Sequence, residues 1–306
     1  KPLQSKSILQ PSAYPFGYPQ MTQLQRGYSD YYAWFPNKNL HWETTTQTNA
    51  GIDLGVFNNR LTLTADYYYK LTDGLLQGVI PAFSSGFTYA LQNAGKVKNY
   101  GFEIQMGTTI LTGKLNWDLS ANYSRNRNEI LEIAPGYDMQ FAPALGEGSM
   151  KFLPFIQKPG LPIGAIWGYK EDGIFQNEEE VAAFKPPTPN LAPGEIRYKD
   201  ISGPEGVPDS IINDYDRTLI GNVNPDFIFG ITNNFTYGRF NLNFLIQGVF
   251  GQNILNQTAM RISGTYDSRS NILQDAYEER WQGEGTSTTQ PQALIGSGRT
   301  LQFSDR

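Results

Sequence analysis

From Asp226 to Phe250 every second residue is apolar or aromatic, and the residues between are mostly polar or small. One set runs Phe227, Phe229, Ile231, Asn233, Phe235 and Tyr237, then beyond Gly238 and Arg239 through Phe240, Leu242, Phe244, Ile246, Gly248 and Phe250. The other set includes Thr232, Asn234, Thr236, Asn241, Asn243 and Gln247, with Ile228, Leu245 and Val249 among them. A period of two predicts a hairpin whose strands show two different faces, one for lipid and one for water. At about 3.3 Å per residue and a tilt of roughly 40°, the ~10 residues from Phe227 to Tyr237 rise ~25 Å, the height of a lipid-facing band.

Two further hairpins share this grammar. Trp42, Thr44, Ala50, Ile52, Leu54 and Val56 alternate with Glu43, Gln47, Asn49, Gly51, Asp53 and Gly55. Beyond a tight turn at Asn58 and Asn59, the return strand sets Leu61, Leu63, Ala65, Tyr67, Tyr69 and Leu71 against Thr62, Thr64, Asp66, Tyr68 and Lys70. The next pair sets Tyr100, Phe102, Ile104, Met106, Thr108 and Ile110 against Asn99, Gly101, Glu103, Gln105, Gly107 and Thr109. It turns at Thr112, Gly113 and Lys114 and returns with Leu115, Trp117, Leu119, Ala121 and Tyr123 opposite Asn116, Asp118, Ser120, Asn122 and Ser124. Such runs exceed the roughly five or six residues usual in soluble strands and match the ~10-residue unit of a membrane barrel.

Connection lengths divide the two ends. The hairpins close in short turns rich in Asn and Gly, whereas residues 72–96, 124–225 and 251–306 are long connections. In barrels of this kind short turns face the periplasm and long loops the exterior. The sequence therefore reads as a partial β-barrel over 1–306. Residues 1–41 are an extracellular loop, and 42–123 are two barrel hairpins enclosing an extracellular loop at 72–96. Residues 124–225 are a large extracellular region, 226–250 a third barrel hairpin, and 251–306 a further extracellular loop. Within 124–225, proline clusters surround a short helix at Glu178–Phe184 and two candidate strands, 163–175 and 195–201. Those strands are either an even number of added barrel crossings or an extracellular hairpin. Pro162, Gly164, Gly168 and Gly173 favour the hairpin.

Composition limits the alternatives. No run of about eighteen apolar residues is present to form a membrane helix, and a mean hydropathy of -0.43 is compatible with a barrel because only half of each strand meets lipid. The net charge of -5 and the lack of a basic block argue against a nucleic-acid partner. With no cysteine, disulfides and thiolate metal sites are absent. No charged and apolar leader opens the chain at Lys1, so a signal peptide is expected upstream.

The runs 35–76, 93–110, 168–180 and 196–244 resemble, in order, the carboxy-terminal half of SusC/RagA-type TonB-dependent transporters; they include "NAGKVKNYGFEIQMGTTI", "GYKEDGIFQNEEE" and "GNVNPDFIFGITNNFTYGRFNLNF". The resemblance implies an all-β fold, part of a 22-stranded antiparallel transmembrane barrel with long extracellular loops, in the outer membrane of a Gram-negative bacterium. It implies import of oligosaccharides or peptides with a SusD-like lipoprotein outside, energised by TonB, ExbB and ExbD through a plug. Plug and final strands are expected outside the sequence in hand. The inward faces, rich in Gly, Ser, Thr and Asn, independently favour a wide lumen over a small filled barrel.

Candidate chemistry is sparse, and no catalytic residue is assigned. His41 is the single histidine, so no two-histidine metal site can form, and an exposed or rim-packed role is preferred. Thr112, Gly113 and Lys114 echo the tail of a phosphate loop, but they join two strands and lack its glycine spacing. Glu43, Asp53, Asp66, Glu103 and Asp118 read as pore-lining charges rather than paired glycosidase acids. Asp200, Asp209, Asp214 and Asp216 lie in an oxygen-rich loop faintly like a calcium site, but Pro204 and the missing closing glutamate break that pattern, so no cofactor is assigned beyond this weak calcium candidate. Tyr14, Phe16, Tyr18, Tyr28, Tyr31, Tyr32 and Trp34 form an aromatic cluster that either packs on itself or faces substrate or lipoprotein. Two rival classes remain open to test: a passive porin or adhesin on the same barrel, and a soluble β-sandwich binding module whose apolar faces pack together.

Overall fold

A computed structural model describes residues 34–35, 37–79, 84, 87, 89–141, 154–183, 191–256, 258 and 271–292. Its strands are β1 (Trp34–Phe35), β2 (Thr44–Val56), β3 (Leu61–Val79), β4 (Tyr89–Leu111), β5 (Leu115–Glu132), β6 (Gln140–Phe141), β7 (Phe155–Gln157), β8 (Ala165–Gly168), β9 (Glu171–Ile174), β10 (Ile196–Tyr198), β11 (Thr218–Asn222), β12 (Phe227–Tyr237) and β13 (Phe240–Phe250). Two short α-helices, α1 (Glu178–Ala183) and α2 (Gln274–Glu278), and a 3-10 turn at Asp214–Asp216 complete the described elements. The chain divides into two compact units, the first built on the long strands and the second on most of 164–223 with residues beyond 252.

In the first unit the long strands pair in the order β13-β12-β5-β4-β3-β2. Every neighbour is antiparallel. β5 pairs directly with β12, from Ile228↔Ser124 to Tyr237↔Leu115, so no barrel strand stands between them. Residues 163–175 and 195–201 accordingly lie outside this sheet: β9 and β10 pair with each other as a separate hairpin, and β8 joins β11 and β7.

Two expected boundaries move. Residues 72–96 are not mainly loop, since β3 continues to Val79 and β4 begins at Tyr89. The region from 124 starts as strand, because β5 continues to Glu132. Ladder hydrogen bonding persists past the point where the alternation fades, across register shifts near Asp73–Leu76 that re-aim the side chains. The chemistry of the faces also exchanges here. Val97, Ile130 and Ile133, on or beside the side that is polar lower down, become a small buried core with Leu75 against them, and Val79, Ala90 and Ala134 form another.

Turns at the opposite end follow local residue chemistry. The β2–β3 connection takes four residues rather than two, with Phe57, Asn58 and Asn59 all at positive φ (53°, 55° and 64°) between Val56 and its partner Leu61. Asn tolerates that conformation better than most residues, which suits the pair at its centre. β12 and β13 join through only Gly238 and Arg239, with Gly238 at φ 57°.

The segment entering β2 is tied across the β3–β4 hairpin. Trp34 and Phe35 run parallel to Tyr89 and Ala90. Asn93 accepts from the His41 N–H at 3.0 Å and donates to the carbonyls of His41 (2.8 Å) and Gly74 (2.7 Å). Glu43 accepts from the Leu76 N–H at 3.0 Å, and Leu40 is buried at 2% exposure. These bonds satisfy backbone groups that a strand ladder would otherwise pair.

The second unit holds β8, β9, β10, β11 and both helices. Gln176 joins its parts: its amide donates to the carbonyls of Ile174 and Ser287 and accepts from Trp281 Nε1 and the Gly285 N–H. Both oxygen lone pairs and both N–H donors are thereby used, which fixes residues 281–287 against β9.

Candidate functional site

The site this fold offers is a wall with two chemically distinct faces. Register carries the alternation of each strand into its neighbour without a slip through the central rows. Leu54 faces Leu63, Leu63 faces Met106, Met106 faces Ala121, Ala121 faces Ile231, and Ile231 faces Ile246. One row further from the turns, Ile52, Ala65, Ile104, Tyr123, Phe229 and Gly248 align in the same way. Because directly paired residues share a face, the apolar surface is continuous across the six long strands. It is not a packed interior: Ile52, Phe244 and Ile246 keep 53%, 40% and 52% exposure.

Aromatic stacks organise this face. Phe102, Tyr123, Phe227 and Phe250 stack in sequence at centroid distances of 5.6, 5.4 and 5.2 Å. Nearer the turns Trp117, Phe235 and Phe244 stack at 5.1 and 6.0 Å. Gly248 leaves the space into which its cross-strand partner Phe229 lays its ring; a Cβ there would collide with that ring. Asn233 is the polar exception, with 6% exposure, accepting a hydrogen bond from Trp117 Nε1 at 3.1 Å.

The opposite face is lined by short cross-strand polar pairs. Thr64 donates to Asp53 and Thr109 to Asp118, each at 2.6 Å. Thr236 donates to Asn241 at 2.9 Å, and Asn243 to Asn234. Tyr68 reaches over Gly101 to donate to Asn126 at 2.9 Å; a Cβ at Gly101 would lie 2.7 Å from its hydroxyl oxygen. Asp66 and Glu103 face each other in register and both are exposed, an arrangement of like charges that water must solvate.

Where β3, β4 and β5 pass beyond the aromatic rim, the apolar face gives way to charge. Lys96 pairs with Asp73 at 3.1 Å and Glu132 at 3.9 Å, and Lys98 pairs with Glu129 at 2.7 Å. Arg127 pairs with Asp226 and donates to the Pro225 carbonyl. This charge belt marks the upper edge of the apolar band. The sequence signal was available: Lys96 and Lys98 keep the parity of Tyr100 and Phe102, as Arg127 and Glu129 keep that of Tyr123.

Of the residues singled out from sequence, Tyr14, Phe16, Tyr18, Tyr28, Tyr31 and Tyr32 lie outside the described residues. Trp34 is in β1, beside the outer end of β4. His41 is exposed, its Nδ1 3.1 Å from the Trp42 carbonyl oxygen. Thr112, Gly113 and Lys114 form the β4–β5 turn.

The four aspartates of the 200–216 loop have separate partners, backbone N–H groups for three of them and a side chain for Asp214. Asp200 accepts from the N–H groups of Asp209 and Ser210, Asp209 from Ile211, and Asp214 pairs with Arg217 at 3.2 Å. Asp216 is fully buried and accepts from Ile201 (2.8 Å), Ser202 (3.2 Å) and Asn213 (2.7 Å). Among the described residues no three His, Asp or Glu side chains converge as a metal cluster. Above this loop Tyr169 is buried, which raises its phenol beyond the usual range, although Arg217 acts to lower it.

Comparison with known proteins agrees with this geometry. Residues 8–154 match the family described as TonB dependent receptor-like, beta-barrel. TonB-dependent receptor P3 of Formosa agariphila is 30% identical over 268 residues, covering 87% of this chain and 26% of that protein. TonB-dependent receptor SusC of Bacteroides thetaiotaomicron is 27% identical over 262 residues, covering 81% of this chain and 24% of that protein. In fold, the chain resembles the RagAB peptide importer in its 'open-open' state with a TM-score of 0.66 at 22% identity, over 88% of this chain and 27% of that one. The chain thus spans about a quarter of the length of the curated relatives it matches. An all-β sheet with one continuous apolar and one polar face, matched over most of its length to such receptors, makes this chain part of the β-barrel of a TonB-dependent receptor of the SusC/RagA type.

Proposed function

We propose that this chain is wall of an active outer-membrane importer of bulky nutrients, oligosaccharides or peptides, in which the apolar face meets lipid and the polar face lines the passage. The observation that carries the reading is the parity that six paired strands share through their central rows, with an exposed apolar surface ending in aromatic rings and then in charge. Small and polar residues on the other face suit a wide aqueous lumen. A solute too large to diffuse through a narrow pore then requires a gate, and the family name points to TonB as the energy source acting through a plug. The names SusC and RagAB, with the latter described as a peptide importer, favour a glycan or peptide cargo and a surface lipoprotein partner. The aromatic segment from Tyr14 to Trp34 is assigned to that substrate or lipoprotein surface on its composition. The 200–216 loop, in which Asp200, Asp209 and Asp216 hold backbone N–H groups and Asp214 holds Arg217, serves as scaffold for the exterior region.

The test uses cells carrying the full-length receptor, supplied with fluorescent oligosaccharides and peptides of graded size. Uptake that requires both TonB and the co-expressed lipoprotein is expected. Uptake undiminished by deletion of TonB would instead identify a passive pore.

A further inference from the structure

Among the described residues, one cation at the lower margin of the charge belt, level with the aromatic rim, has no counter-charge. Lys96, Lys98 and Arg127 each have a carboxylate within 4.0 Å. Arg125, exposed and on the same face, has no ion pair or side-chain hydrogen bond among the described residues. Its register partner is Phe102, and Tyr123, which stacks on both Phe102 and Phe227, precedes it by one alternation on β5. Counted from Leu115 at the turn, Arg125 stands about ten residues up the strand, ~25 Å along the membrane normal for a tilted barrel strand. That height is the boundary between acyl chains and headgroups.

We propose that Arg125 binds a phosphate group of an outer-leaflet lipid headgroup. A guanidinium presents a planar fork of donors that matches two phosphate oxygens, and such charge-assisted pairs are strongest where water is partly excluded. Along this strand the neighbouring rings supply an apolar flank for the arginine stem while its head reaches the interface. Arg127, one alternation higher, is already engaged with Asp226 and the Pro225 carbonyl. Arg125 is therefore the anchor that fixes the depth of this wall, and the carboxylate-paired belt above it forms the aqueous margin. The inference rests on the reading of the apolar face as lipid-facing.

The experiment reconstitutes the full-length receptor in phosphatidylcholine nanodiscs with and without lipid A and counts retained lipid A by native mass spectrometry, for the wild type, Arg125→Gln and Arg125→Lys. Arg60→Gln, at the turn end, serves as control. Expected is lipid A retention weakened about tenfold in Arg125→Gln, partly restored in Arg125→Lys and unchanged in Arg60→Gln, the scale of one charge-assisted bidentate contact. Equal retention in wild type and Arg125→Gln overturns the proposal, as does displacement of lipid A by inorganic phosphate alone. Failure of the receptor to enter the nanodisc would overturn the membrane reading itself, which separates the two outcomes.

Discussion

Trp117 Nε1 donates to Asn233 Oδ1 at 3.1 Å across the β5–β12 pair, on the apolar face of the sheet and 116 residues apart in sequence. The indole, stacked on Phe235 at 5.1 Å, covers an amide that is almost fully buried. A primary amide facing hydrocarbon without a partner is costly, so the tryptophan both stacks and satisfies. Trp117→Phe leaves the amide oxygen of Asn233 without its donor and is expected to destabilise the receptor by about 1–3 kcal/mol. Asn233→Leu is expected to cost less, and Trp117→Phe combined with Asn233→Leu to cost less than Trp117→Phe alone. Urea unfolding of the full-length receptor from lipid vesicles measures this order.

Depth along β12 sets the penalty for a charge. Ile231, one residue from the midpoint of Phe227 and Tyr237, faces Ile246 and Ala121 on the apolar side. Ile231→Arg is expected to cost about 2–4 kcal/mol, whereas Tyr237→Arg, beside the turn, costs about 0–1. The same vesicle unfolding assay gives both values. Equal penalties would remove the basis for placing Ile231 at the bilayer centre.

Asp216 organises the 200–216 loop from within. Its carboxylate accepts three backbone N–H groups and no water reaches its surface. Asp216→Ala orphans all three donors, each a loss of about 1–3 kcal/mol when buried, and is expected to unfold the loop locally. Hydrogen exchange of residues 200–216 checks this: protection lost in the alanine variant, largely kept in Asp216→Asn, which retains one acceptor oxygen.

Tyr169 gives the second unit an alkaline limit. Burial raises its folded-state pKa, so the unfolded chain loses the phenolic proton first as pH rises. The stability held by the neutral phenol is complete below the unfolded value of about 10 and is lost as pH climbs through the folded one. The stability of the full-length receptor's second unit, followed by the fluorescence of Trp167 and Trp281 in urea, is expected to fall above about pH 10, and Tyr169→Phe to remove that part of the fall.

Much of the wall was legible because a strand facing two solvents must alternate, and β12 with β13 coincides with the run from Phe227 to Phe250. The upper parts of β3, β4 and β5 were not, and 72–96 reads as loop. There Asp73, Lys96, Lys98 and Glu129 replace apolar residues while Val97 and Ile130 become buried, so the rule of polarity inverts although the strand continues. The stretch 163–175 reads as one strand but divides at Tyr169 and Lys170, β8 joining β11 and β9 joining β10. β11 escaped notice because five residues with Gly221 among them carry too short a pattern. The Trp117–Asn233 bond depends on register between distant strands, which no local window contains.

Whether the parity of these strands separates hydrocarbon from water is read out, residue by residue, by cysteine scanning along β12. The sequence contains no cysteine, so a full-length receptor freed of any others can carry one reporter at each position from 227 to 237. After insertion in vesicles, each is probed with a water-soluble maleimide, then, carrying a fluorophore, with brominated lipid. Positions 228, 230, 232, 234 and 236 are predicted to react with the aqueous reagent, and 229, 231 and 235 to be quenched by the lipid. Protection of 229 and 231 from both reagents, or no two-residue period, would mean that the apolar face packs against protein and does not meet lipid.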